Sequence, residues 1–400
     1  MAARAATANP RPVALWPSQL RVSSAIRSAA ARVCPETPAV PPDRRPRPGV
    51  ARHTLGGMAG STAGRGGAGD VVQLTVQPAD TADVRRAARL SRVRGLLLGL
   101  ALGDALTRPD QPDPRLLLGT TTTQLACFTA EGLIRAMVRA DHRGIGPVPL
   151  VLFFAYRRWA YGQGIPIPRP AQPSGWLHRV PALAERRGDA PAVVAALQAA
   201  GEPVPAPAPV TSGGHHALTL RLPLAAVAAP PDWTREAVLA THGHPDALQA
   251  AVAGVELARA VLGSGSVPDA LQAVPEPLLD DVRSGGHSPA GLAPDHSAVS
   301  ALRGGAELAA GCLGPATIAQ TLSAARELPV PGAVGPVAGA LLGAAHGVEA
   351  LPVELVARLE LGWAVDTLAR DLVAQVEERP GGSEYQQPAD RHWWSRYPGG

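Results

Sequence analysis

The sequence predicts an all-α fold. From about Asp83 onward, apolar residues recur at helical spacing. Two segments carry glycine at every fourth position. No convincing series of alternating strands interrupts them. Apolar spacing of three and four residues puts side chains on one helix face, whereas strands need a period of two.

The first helix is expected from Asp83, where Val84, Ala87, Ala88 and Ser91 lead into Gly95-Leu96-Leu97-Leu98-Gly99-Leu100-Ala101-Leu102-Gly103. Gly95, Gly99 and Gly103 share one face. Glycine costs ~1 kcal/mol relative to alanine inside a helix, so a ladder of three implies a second backbone close by. Gly335, Gly339, Gly343 and Gly347 form a second ladder. Both helices are therefore expected to be central and tightly packed. Leu125, Phe128, Leu133, Met137 and Ala140 mark the next helix, with Thr121 and Gln124 as a Thr-x-x-Gln capping box at its start. Further helices are expected over 149–161, 190–200, 234–241, 245–262, 315–328 and 353–376. Pro245 sits where a missing N–H costs nothing. Residues 162–214 are rich in proline and glycine and read as long loops around the short 190–200 helix.

Residues 1–80 differ from the rest. Up to Gly57 there are nine arginines against Glu36 and Asp43, within proline-rich text and without helical or alternating periodicity. Such a segment buries too little apolar surface to offset its chain entropy. It reads as a disordered Arg/Pro/Gly-rich tail, with an Arg-rich targeting peptide, a basic interaction arm or a translation start at Met58 as alternatives. Residues 81–378 form the expected helical domain. Residues 379–400 form a Gly/Pro/Trp-rich tail in which Trp393-Trp394 reads as a packing element or, where exposed, as a partner site.

The chain has 400 residues and a net charge of +4, and every basic residue other than histidine is arginine. Abundant alanine, glycine, proline and arginine point to GC-rich coding, so the arginine excess is weak support for a nucleic-acid partner. Cys34, Cys127 and Cys312 are odd in number and far apart, with no Cys-x-x-Cys pair, which argues against a disulfide framework or zinc knuckle. The apolar run from Gly95 to Leu102 falls short of the ~20 residues that span a bilayer. A cytoplasmic protein with no membrane partner is expected. No Walker loop, dinucleotide glycine fingerprint or Ser/His/Asp order stands out.

Several segments, in order, carry a resemblance. They are Gly95 to Ala105 with its Gly103-Asp104-Ala105 ending, Gln124 to Ala136, the Leu220-Arg221-Leu222-Pro223-Leu224 stretch, Thr241-His242-Gly243-His244-Pro245, and Gly339 to Ala344 with Gly347. From Arg92 to Asp371 the chain resembles the ADP-ribosylglycohydrolase family. The resemblance implies a compact, orthogonally packed all-α domain. It also implies a reaction in which two magnesium or manganese ions activate water to cleave the glycosidic bond of ADP-ribose. In that family the segment at Thr120-Thr121-Thr122-Thr123-Gln124-Leu125 reads Thr-Asp-Asp-Thr-Gln-Met. Both metal-holding aspartates are thus threonine here, at Thr121 and Thr122. A neutral hydroxyl is a poor substitute for a carboxylate at a hard dication. The acids of the second metal motif fall on Val330 and Gly332, and a hydroxyl position falls on Val334. The glutamate of the family's Pro-x-Glu context falls on Gln111, which cannot accept a proton.

A catalytically degenerate member is therefore expected, with no cofactor, binding ADP-ribose or a related nucleotide or acting as a scaffold for an unidentified protein partner. The candidate ligand-binding residues are Thr120, Thr121, Thr122, Thr123, His242 and Arg221. His242 stands against a plain helix-capping role, and Arg221 against a surface salt bridge. Asp104 is the one motif acid retained, read either as cleft electrostatics or as a helix-end hydrogen bond to backbone. An active hydrolase with rearranged acids would draw on Asp104, Asp110, Gln111 or Asp113. A nucleic-acid-associated protein would act through the N-terminal arginines, although few aromatics interleave with them. His215 and His216 are expected to point apart, which argues against zinc.

Overall fold

The computed structural model describes residues 81–168, 171–200 and 211–399. The readings made for residues 1–80, including Met58, fall outside them. Helices of seven residues or more are numbered α1 Thr81–Thr107, α2 Thr121–Arg143, α3 Val148–Gly162, α4 Pro191–Ala199, α5 Pro231–Leu239, α6 Pro245–Ser264, α7 Val267–Ala273, α8 Ala298–Ala310, α9 Ile318–Ala324, α10 Pro331–His346 and α11 Gly362–Glu377. Among the described residues there is no strand. Two isolated bridges, Leu117 to Leu359 and Gly214 to Ser297, tie loops together.

The centre is the pair α1 and α10, and the two glycine ladders face each other across it. A Cβ placed on Gly99 would stand 2.1 Å from the Gly339 carbonyl oxygen. One on Gly95 would stand 2.1 Å from that of Gly343, and one on Gly103 2.0 Å from that of Gly335. The pairing runs 95 with 343, 99 with 339 and 103 with 335, so the helices are antiparallel. At each level, backbone meets backbone with no side chain between. Helices α2 and α11 flank α1, and α3 lies outside α2. Helices α8 and α6 flank α10. α6 has the length and apolar composition of a membrane-crossing helix, yet half of it is buried in the core.

Local chemistry sets the ends of these helices. α2 stops at Gly144, whose φ of 71° is left-handed and whose N–H bonds Ala140. α6 begins with Pro245 after a histidine cap and stops at Gly265, with φ of 73°. Some boundaries differ from the sequence expectation. The 315–328 segment is α9 between two short 3₁₀ turns, and the 353–376 segment breaks between Val356 and Gly362, where the Leu117–Leu359 bridge pulls the chain away. The helix expected at 234–241 begins earlier, at Pro231. α7 and α8 were not expected from the pattern. The signal for α8 was local: the Ser297 hydroxyl accepts from the Ser300 N–H, ahead of buried Ala301, Leu302, Gly305 and Ala306.

The C-terminal segment packs against the domain. Trp393 and Tyr397 are buried. The Trp393 indole donates to Gln375 Oε1 (2.7 Å), and Gln375 donates to Asp141 (2.8 Å). Tyr397 donates to Asp371 (2.5 Å), which also pairs with Arg396 (2.7 Å). Trp394, by contrast, stays partly exposed with its edge against His142.

Candidate functional site

The site forms where the last turn of α1 meets the first turn of α2 and α10 starts alongside. Gly335 of α10 lies against Gly103 and Thr107, so both segments that carry metal ligands in the resembled pattern come to the same end of the α1/α10 pair. Asp104 lies between α1 and α2. Its Oδ1 accepts from the Thr120 hydroxyl (2.7 Å). Its Oδ2 accepts from the Thr120 N–H (2.6 Å), the Thr123 N–H (3.1 Å) and the Thr123 hydroxyl (2.5 Å). The helix-end reading of Asp104 matches this geometry, with α2 rather than its own helix as the recipient. Burial pushes its pKa up, and the four donors pull it partly back.

The helix cap sits one residue earlier than expected. Thr120, not Thr121, is the N-cap, and its hydroxyl accepts from the Thr122 N–H (3.1 Å). The reciprocal acceptor of a capping box comes from Asp104, far away in sequence. Gln124 instead donates to Ala182 (2.8 Å) and Glu185 (2.7 Å) carbonyls, holding the 182–185 loop against α2. The Thr122 hydroxyl lies 3.2 Å from His216 Nε2. Thr121 is buried beneath Gly188, and its hydroxyl alone of the four has no side-chain or backbone partner among the described residues.

His215 and His216 do not point apart. Their ring centroids lie 4.2 Å from each other, and His296 is 6.1 Å from His215. His215 directly precedes the short helix His216–Thr219, and the two ring planes are inclined by 37°. Even so, no group of three or more His, Cys, Asp or Glu among the described residues has metal-holding geometry. Burial holds His216 well below its ordinary pKa, helped by His215, His242 and Arg221. Burial and Arg221 lower His242 to about 3, and burial and His296 lower His215 to about 4.

His242 does not cap a helix. It lies in the core with its Nδ1 2.9 Å from the Thr241 hydroxyl, and His244 caps α6 by accepting from the Asp246 N–H (3.2 Å). Arg221 forms no surface salt bridge. It is fully buried and donates to Tyr156 (3.1 Å), the Ala237 carbonyl (2.6 Å) and the Thr241 hydroxyl (2.7 Å), with its guanidinium 5.1 Å from the Tyr156 ring centroid. Its partners are all neutral, and burial lowers its pKa.

Gln111 closes the loop after α1. Its amide nitrogen donates to Ala105 (2.6 Å) and Leu118 (3.3 Å) carbonyls while its oxygen accepts from the Leu118 N–H (3.0 Å). This bridge needs a group that donates and accepts together, which a glutamate at neutral pH cannot supply. Asp110 is exposed, and Asp113 accepts from the Arg115 N–H in its own loop. Val330 and Val334 are buried apolar residues at the start of α10. Sequence reasoning missed the ion triad behind α2. There the buried Glu131 meets Arg135 and Arg158, each at 2.6 Å. The four-residue spacing of Glu131 and Arg135 in an apolar run was the available signal.

The sequence model of ADP-ribosylglycohydrolases matches residues 85–381. The chain belongs to the ADP-ribosylglycohydrolase family. A solved structure described as an ADP-ribosylglycohydrolase-related protein complex is similar in fold, with a TM-score of 0.53 and 23% identity over 72% of this chain and 99% of that one. No curated protein matched the sequence. The all-α class and the family expected from residues 92–371 are both correct.

Proposed function

We propose that this chain is a catalytically degenerate ADP-ribosylglycohydrolase-family protein that binds ADP-ribose or a related nucleotide in the family's cleft, or serves there as a protein scaffold. The donor set around Asp104 carries this reading. Two divalent cations need several free carboxylate oxygens to hold them and to activate a water. Asp104 is the only motif acid retained, and both of its oxygens are engaged by Thr120 and Thr123. Thr122 faces His216, and Val330, Gly332 and Val334 offer no oxygen from their side chains. The residues present do not fit the dinuclear centre. The glutamine bridge at Gln111 supports the same reading, because that residue is committed to backbone.

Titration calorimetry with magnesium and manganese tests the degenerate reading. No binding at micromolar concentration is expected. Micromolar affinity, or release of ADP-ribose from a modified protein, refutes it. Titration with free ADP-ribose separates a retained pocket from a scaffold. Binding supports the pocket, and no binding leaves the scaffold.

A further inference from the structure

The first nine residues of α1 are exposed on every side, and Val84 among them is 55% exposed. They are tied to the rest of the domain through Arg86, which pairs with Glu377 and Glu378, and Arg89, which pairs with Glu377 and donates to the Ala226 carbonyl (3.2 Å). Beside them, a groove of about 460 Å³ opens between α1, the 225–228 turn and the C-terminal end of α6. Its floor is apolar, formed by Ala88, Val93 and the buried side chains of 225–227. Arg85, Arg89, Arg92 and Arg259 line it, and no acid does.

These arginines are unevenly neutralised. Arg89 pairs with Glu377 (3.4 Å), and Arg259 pairs with Glu256. Arg92 donates to the carbonyls of Leu262 (3.0 Å) and Gly263 (3.2 Å) at the end of α6. Arg85 makes no ion pair among the described residues. The groove therefore keeps a positive surplus above an apolar floor.

We propose that this groove, with the projecting turns of α1, docks an acidic amphipathic segment of a partner protein. Apolar side chains of such a segment fit the alanine and valine floor, and its carboxylates meet Arg85 and Arg92. The chain's own N-terminal region, residues 1–80, has the wrong sign overall, with ten arginines against four acids. A flat bilayer surface cannot enter a concave groove. Single-stranded nucleic acid would find no aromatic face there on which to stack its bases.

The test uses the full chain and a fluorescein-labelled peptide of about 14 residues, with glutamate and leucine at helical spacing. Fluorescence anisotropy is expected to show binding that weakens several-fold between ~50 and ~300 mM salt. Arg85→Glu should weaken it on the order of tenfold, and Ala228→Asp, across the groove, should weaken it as well. Both positions are exposed, so unchanged thermal melts are expected to confirm intact folding. Three results overturn the proposal: no peptide binding, equal binding of the version with lysine for glutamate, or full affinity retained by Arg85→Glu. Tighter, Arg85-dependent binding of oligo-dT or phosphatidylserine vesicles also overturns it, in favour of that ligand.

Discussion

Alanine substitution at two glycines of α10 separates backbone contact from helix propensity. At Gly339 the added Cβ would lie 2.0 Å from the Gly99 carbonyl oxygen, which is backbone and cannot rotate away. The helices would have to move apart by more than an ångström, and the Gly95–Gly343 and Gly103–Gly335 contacts resist that movement. Overpacking costs ~1–3 kcal/mol where side chains can yield; here none can, so the upper end is expected. The gain in propensity offsets only ~1 kcal/mol. At Gly332, in the first turn of the same helix, the added Cβ meets nothing within 4 Å. Gly332→Ala should therefore be neutral or stabilising by up to ~1 kcal/mol. Urea unfolding followed by circular dichroism measures both. Gly339→Leu should not fold at all. If Gly339→Ala unfolds at the parent midpoint, or Gly332→Ala proves the more damaging change, the close-contact reasoning is wrong.

Gln111→Glu removes the donor to Ala105 and Leu118 and should cost ~1–3 kcal/mol at pH 7, with part recovered on acidification, as read by thermal melts. Trp393→Ala empties a buried site and strands Gln375, and should cost ~3–5 kcal/mol by urea unfolding. His215 and His242 have folded pKa values of about 4 and about 3, below the ordinary 6.5. Their neutral forms contribute stability that is present above pH 6.5 and lost as pH falls toward those values, with a slope of up to ~1.4 kcal/mol per pH unit for each. Melting temperature should drop from pH 6.5 to 4.5, and His242→Gln should flatten the drop. An unchanged slope in that variant contradicts the assignment.

The fold was legible wherever local spacing governs it. Four-residue glycine repeats required close backbones, and the structure pairs the two ladders with each other. Legibility failed where a distant partner decides. Thr121 and Gln124 look like a capping box, but Asp104 reaches α2 from another helix and shifts the cap to Thr120. Arg221 reads either as a cleft ligand contact or as a surface cation, because nothing nearby in sequence announces the buried Tyr156, Ala237 and Thr241 acceptors. The Thr122 and His216 contact spans 94 positions, beyond any pattern of spacing. α8 was missed for a different reason: its apolar face is periodic but built largely of small alanines and glycines, and the Ser297 cap marks its start.

The clasp between Asp104 and the threonines is a joint between two helices. A carboxylate placed at Thr122 would take from His216 its hydroxyl neighbour, and one at Thr121 would enter a buried position beneath Gly188, where an unpaired charge is costly. An acid-lined cleft at this end of the α1/α10 pair would therefore require changes at several positions together, Val330 and Gly332 among them, whereas the joint needs only one acid and its hydroxyl donors.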